Sequence, residues 1–257
     1  RTCRVWEVAT NREVLSRLFK DTPECLAVMA RHLIIGTGTG NVVCTDHLME
    51  APAQTKRVHS CNIKDMIIHD GLLYTCSLDG LTKCIDIETF KLVSILQGMG
   101  SLRCLASYNM DLDDCQQSMV LAGGSSGDLL VYDSRTSRCV MSHKGHEDAI
   151  LCLTPHEYRV WSGGDDRTVR QWDLRMNRQE HTYSTKDGSP KALAVCSGQE
   201  QIRVASMDGT MLTWPMWDKA KHAPCGTARE LDDHDDGLLY LGLVKEVFRK
   251  YAKAVDA

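Results

Sequence analysis

GHEDAILCLTPHEYRVWSGGDDRTVRQWD, from Gly145 to Asp173, is the stretch whose reading decides the fold. It opens on Gly-His, runs through two apolar segments, ILCLT from Ile150 and VWSGG from Val160, turns on Asp165-Asp166-Arg167 and closes on Trp172-Asp173. Laid over the rest of the chain, the closing pair finds equivalents at Trp6-Glu7, Thr45-Asp46, Ile85-Asp86, Tyr132-Asp133 and Trp214-Pro215. The intervals between them are 39, 40, 47, 40 and 42 residues. A period in this range means that one supersecondary unit is stacked against copies of itself. The one long interval contains the polar insertion NMDLDDCQQ, Asn109 to Gln117, expected as a surface loop.

Each unit begins with an apolar segment: CLAVM from Cys25, IKDMII from Ile63, LRCLAS from Leu102, ILCLT from Ile150 and ALAVC from Ala192. A second segment follows and ends in Gly, Ser or Asp, as in LIIGTGTG, LLYTCSLDG, VLAGGSSG, VWSGGDD and VASMDG. Those residues supply the backbone angles that a hairpin turn requires. Apolar residues recur in short runs bounded by turn residues and not at three-and-four spacing, so the units read as strands.

The Gly145–Asp173 unit closely resembles a WD repeat, and the resemblance extends over residues 1–218. It implies an all-β fold, a WD-repeat β-propeller that is seven-bladed when complete. His146, Ser162, Asp166 and Trp172 occupy the places where the family has a hydrogen-bonded chain linking turn, strands and adjoining loop. A buried turn Asp must be hydrogen-bonded or it costs several kcal/mol, and the loop His and the turn amides are its donors. In the other repeats Asp79 and Asp208 match the turn Asp, while Thr39 and Ser126 replace it, so those blades are expected to lean on packing.

His, Ser and Asp in one unit also invite a hydrolase reading. A nucleophilic serine needs exposure and a strained elbow such as G-x-S-x-G, whereas Ser162 sits inside an apolar strand. The glycine-rich GTGTG, Gly36 to Gly40, would have to open a helix to serve as a dinucleotide loop, yet it is followed by the strand-like NVVCTD. Asp111, Asp113 and Asp114 lack the ligand spacing and turn glycine of a calcium loop. No catalytic residue, cofactor site or metal site is therefore assigned.

The composition points the same way. A net charge of -4 with 25% charged residues does not provide the strongly basic face that nucleic acid or an anionic membrane would select. Most of the 12 cysteines sit singly in apolar runs, such as Cys25, Cys104, Cys152 and Cys196, without disulfide clustering or zinc spacing. They are expected as buried free thiols. The start, RTCRVWEVATNREV, lacks the apolar stretch of a signal peptide, and a cytoplasmic or nuclear protein is expected.

Arg1 falls just after the turn of its own repeat, so the chain is expected to begin in mid-blade, with five fuller blades following and upstream sequence completing the ring. Residues 219–257 are expected as a linker and an amphipathic helix from about Gly237 to Val255. Leu241, Val244, Phe248, Tyr251 and Val255 share one face of it, Asp232 to Asp236 precede it, and Lys245, Arg249, Lys250 and Lys253 follow the helix dipole. Alternatively, HDDGLLYLGLV from His234 completes the first blade, because HDGLLY also occurs from His69 to Tyr74.

By analogy with the family, the turns and blade-entering loops at one end form a surface that binds other proteins, making the chain a scaffold within a larger complex. Here they place Leu78, Ser125, Asp165, Arg167 and Met207 in turns, with Glu147 and Asp148 in a loop. A second reading is a substrate receptor for a cullin-type ubiquitin ligase. Trp172-Asp173-Leu174-Arg175 looks like the W-D-x-R ending that docks the ligase adaptor, with Asp173 and Arg175 as the docking residues and Tyr132-Asp133-Ser134-Arg135 as an imperfect second copy.

Overall fold

The computed structural model describes residues 1–7, 9–29, 32–46, 53–112, 115–185, 188–196 and 201–216, and not the side chains of 110–116. Every regular element among them is a strand. β1 (Thr2–Glu7) and β2 (Arg12–Leu18) form a two-stranded sheet. β3 (Pro23–Met29), β4 (His32–Thr37), β5 (Asn41–Asp46) and β6 (Gln54–Arg57) form a four-stranded one, as do β7 (Ile63–His69), β8 (Leu72–Ser77), β9 (Leu81–Asp86) and β10 (Leu92–Gln97). The next two sheets comprise β11 (Leu102–Leu112), β12 (Cys115–Gly124), β13 (Asp128–Asp133) and β14 (Arg138–Lys144), then β15 (Ile150–His156), β16 (Arg159–Gly164), β17 (Thr168–Asp173) and β18 (Arg178–Ser184). A three-stranded sheet of β19 (Pro190–Cys196), β20 (Gln201–Ser206) and β21 (Met211–Pro215) follows.

Within every sheet consecutive strands pair in chain order, and each pair for which a register is established is antiparallel, the up-and-down meander of a propeller blade. The chain divides into two compact units, Arg1–Arg103 and Cys104–Ala257. The expected tail helix and the alternative strand from His234 lie outside the described residues, as do Asp113 and Asp114.

One expectation is corrected. The Asn109–Gln117 insertion is not an irregular surface loop, because β11 continues to Leu112 and β12 starts at Cys115. Extending an antiparallel pair gives the inserted amides and carbonyls partners at once, which an open loop does not.

The scattered cysteines follow a packing rule. Cys25 pairs across with Gly36 and Cys152 with Gly163. A Cβ on Gly36 would lie 2.5 Å from the Cys25 sulfur and 2.9 Å from Ile63. One on Gly163 would lie 2.7 Å from the Cys152 sulfur and 2.6 Å from Pro190. Glycine thus makes room for a thiol and for the first residue of the following blade. The thiols lean on that next strand, Cys25 Sγ donating to Ile63 O at 3.8 Å and Cys152 Sγ to Pro190 O at 3.8 Å. Burial pushes the Cys152 thiol up to about 12, so it stays protonated and inert.

Apolar residues of adjacent blades then merge into shared cores. Leu129, Val131, Ile150, Val160, Trp172 and Leu174 form one; Ile34, Val42, Ile63, Met66, Leu73 and Ile85 form another. At about 25 cal/mol per Å² of apolar surface, these inter-blade layers stabilise the repeat array, since a lone four-stranded sheet would leave both faces wet.

Candidate functional site

Five turns connect the second and third strands of the blades, and all five are built alike. The fourth residue donates its N–H to the first residue's carbonyl: Gly40 to Thr37 at 3.2 Å, Gly80 to Ser77 at 3.1 Å, Gly127 to Gly124, Arg167 to Gly164 and Gly209 to Ser206 at 3.2 Å each. That fourth residue has a left-handed backbone, with φ of 83°, 84°, 73°, 61° and 86° in order. A second clamp ties the turn to the loop entering the blade. Gly38 N donates to Thr22 O, Leu78 N to Asn62 O, Asp165 N to Ala149 O and Met207 N to Ser189 O, all within 3.1 Å. Turns and entering loops therefore share one end of each sheet.

Beneath the β16–β17 turn lies a continuous hydrogen-bonded chain. Trp172 Nε1 donates to Ser162 Oγ at 2.8 Å, Ser162 Oγ lies 2.7 Å from His146 Nε2, and His146 Nδ1 lies 2.9 Å from Asp166 Oδ2. The chain has one direction. The ionised Asp166 can only accept, so a neutral His146 carries its hydrogen on Nδ1 and accepts at Nε2 from the Ser162 hydroxyl, which itself accepts from the donor-only indole. Burial lowers the His146 pKa against the pull of Asp166, so the ring is neutral. Burial alone would raise Asp166, but hydrogen bonds from Thr168 and His146 outweigh it and hold the carboxyl below its ordinary range. Asp166 also accepts from the amides of Glu147 and Thr168, at 3.1 Å each, which stitches loop to turn.

The β7–β10 blade carries an equivalent chain that reading the repeats passed over. His59 Nδ1 lies 2.9 Å from Asp79 Oδ2, and His59 Nε2 lies 2.9 Å from Thr75 Oγ1. The missing signal was a Gly before the His, since Val58 stands there, and a Trp on the third strand, since Ile85 stands there. The spacing was legible all the same: His to hydroxyl is 16 residues and His to Asp 20 in both blades. This blade does not depend on packing alone.

In the β3–β6 blade the polarity is inverted. Asp21 of the entering loop supplies the carboxylate, accepting from Thr39 Oγ1 at 2.9 Å and Asn41 Nδ2 at 2.8 Å. Those two bonds hold the Asp21 carboxyl below its ordinary range. In the β11–β14 blade Ser126 Oγ accepts only from the Asp128 amide, at 3.3 Å, among the described bonds.

The sequence-predicted contact residues sit on these tips. Ser125, Glu147, Asp148, Asp165, Arg167 and Met207 are exposed, and Leu78 is half-buried. Ser162 is wholly buried, which denies it a nucleophile's access. Asp173 and Arg175 lie at the opposite end. Asp173 is 3% exposed, and its Oδ1 accepts from the amides of Arg175 at 2.8 Å and Met176 at 3.0 Å, so it caps its turn and presents no carboxylate outward. The exposed Arg175 guanidinium lies 3.3 Å from the centroid of the Tyr158 ring.

Residues 137–173 match the family described as WD domain, G-beta repeat. The chain carries a WD repeat there. It is 37% identical over 84 residues to transducin-like enhancer protein 2 of Mus musculus, covering 31% of this chain and 11% of that protein. It is 25% identical over 202 residues to autophagy-related protein 16 of Arabidopsis thaliana, 74% of this chain and 38% of the relative. Against ribosome biogenesis protein ytm1 of Neurospora crassa it is 32% identical over 120 residues, 44% and 23%. The chain thus spans well under half of each of these WD-repeat relatives. WD-repeat membership supports a general role in protein interaction.

Proposed function

We propose that this WD-repeat chain is a non-enzymatic scaffold or adaptor that binds other proteins through the turn-and-loop end of its blades within an intracellular multiprotein assembly. The observation that carries this reading is the division of labour at that end. Asp166, Asp79 and the turn amides are spent on clamping the backbone, while side chains such as Met207, 64% exposed, are held on rigid tips and not used by the fold. Pre-set tips lose little entropy on binding, and large side chains at the centre of a contact dominate its energy.

The test is affinity purification with quantitative mass spectrometry, comparing the parent chain with Leu78→Asp, Met207→Asp and Arg167→Glu. Loss of the same set of proteins in these variants, with unchanged thermal unfolding, is the expected result. A set unaffected by all three would remove this end from the binding surface.

A second reading, a substrate receptor of a cullin-type ubiquitin ligase, is favoured by a duplicated turn at the other end. Asp133 accepts from the amides of Arg135 and Thr136 at 2.8 and 3.1 Å, as Asp173 does from its own turn, and both turns expose an arginine two residues after the Asp. Pull-down with the ligase adaptor before and after Arg175→Ala discriminates: capture that depends on Arg175 supports it, and no capture by the parent chain eliminates it.

A further inference from the structure

Of the five like turns, four place glycine at the left-handed position and one places Arg167 there, at φ 61°. A residue with a Cβ costs roughly 1–2 kcal/mol in that conformation, and Gly, Asn and Asp are the residues that visit it readily. Nothing in the turn hydrogen bonding asks for arginine. The Arg167 amide does what the four glycine amides do, and its carbonyl accepts from Thr185 N at 3.0 Å and Thr185 Oγ1 at 2.9 Å. The side chain is exposed and makes no hydrogen bond or ion pair among the described residues. It is not recruited by the acids that accompany it, the exposed Asp165 in the same turn and the exposed Glu147 and Asp148 in the loop bonded to that turn. The backbone beneath is clamped from both sides, by Asp165 N to Ala149 O at 2.8 Å and by Thr185 N to Arg167 O.

We propose that Arg167 is a partner-contacting residue whose guanidinium receives a carboxylate from a mixed-charge protein segment, with Glu147, Asp148 and Asp165 taking that segment's basic side chains. The inference rests on the scaffold reading and names the chemistry of its partner. A guanidinium fork fits a carboxylate with two parallel hydrogen bonds, which adds direction to the charge attraction. The three neighbouring carboxylates repel a uniformly acidic chain or a nucleic acid backbone and favour a segment that alternates in sign. Backbone strain maintained at an exposed position is the pattern seen at functional sites.

The decisive variant is Arg167→Gly, because it removes the guanidinium and relieves the strain at once. The full chain and Arg167→Gly are titrated with fluorescent peptides of alternating Glu and Lys, of Glu alone and of Lys alone, and with duplex DNA. The alternating peptide is expected to bind the parent chain best, and Arg167→Gly to weaken it by about tenfold, equivalent to about 1.4 kcal/mol. The same variant is expected to melt higher, by about 2–4 °C. Unchanged peptide affinity in Arg167→Gly, a lower melting temperature, preference for the Lys-only or Glu-only peptide, DNA binding that depends on Arg167, or binding of no probe would each overturn the inference. Partner loss in Met207→Asp alongside normal behaviour of Arg167→Gly leaves the scaffold reading standing without it; indifference of both takes the two down together.

Discussion

The β15–β18 and β7–β10 blades share a His–Asp pair at the same sequence spacing and differ in what stands behind it, Trp172 in one and Ile85 in the other. The difference decides how freely the buried proton can move. Behind His146 the Ser162 hydroxyl accepts from the indole and, among the described hydrogen bonds, has no acceptor for its own proton except Nε2, so the ring can take a second proton only by leaving that hydroxyl hydrogen without a partner. Behind His59 the Thr75 hydroxyl has another outlet, the Lys83 carbonyl at 3.3 Å. With its proton there, Thr75 can accept from a protonated Nε2, and the charged imidazole still has a partner on each side. Two blades that look alike in outline are therefore a locked network and a permissive one.

The largest effect that would break this comparison is at the hydroxyl. Ser162→Ala removes the partner of two buried groups, Trp172 Nε1 and His146 Nε2, and should cost about 2–4 kcal/mol; Thr75→Val leaves one imidazole nitrogen unpaired and should cost about 1–2 kcal/mol. Urea unfolding of the two variants checks the order, and equal losses would mean that the indole adds nothing.

A smaller effect lies in pH. Burial lowers the pKa of both histidines in the folded chain, and the partner carboxyls of Asp166 and Asp79 are lowered as well. Groups depressed in the native state bind more protons once unfolded, so their contribution to stability is complete above the unfolded histidine pKa of about 6.5. It declines as pH falls below that value and goes on declining as the carboxyls protonate. Urea midpoints measured from pH 7.5 to 4.5 should fall steadily. NMR titration sharpens the contrast: the His146 ring should stay neutral to lower pH than the His59 ring, and the reverse order would show that Trp172 does not set the proton's place.

The least effect is expected at Asp21, whose inverted network lies near the surface, with Asp21 and Asn41 half-buried and Thr39 exposed. Asp21→Asn should leave the unfolding midpoint near that of the parent chain, and a loss rivalling Ser162→Ala would show that loop anchoring does not depend on burial.

Much of this was readable in the residues. The turn sequences from Thr37, Ser77, Gly124, Gly164 and Ser206 all form the expected turn, because hairpin geometry is decided by a few adjacent residues. The His146–Ser162–Asp166–Trp172 chain was likewise visible in one near-complete repeat. Its counterpart at His59 lacks the flanking Gly and Trp that mark the repeat, and neither of those residues belongs to the His–Asp bond itself. The insertion at Asn109 is polar enough to read as a loop, whereas strand pairing satisfies polar backbone whatever the side chains are.

By itself, then, the order of residues determined that a forty-residue strand unit recurs and where it turns, since both are written in local backbone preference and apolar spacing. Only the tertiary structure decided whether the turn or its entering loop supplies the acid, that Asp173 faces inward to cap its own turn, and that Arg167 holds a glycine's place. Those outcomes depend on strand register, which brings residues 16 to 20 positions apart within hydrogen-bonding distance and leaves others, equally suitable in kind, facing solvent.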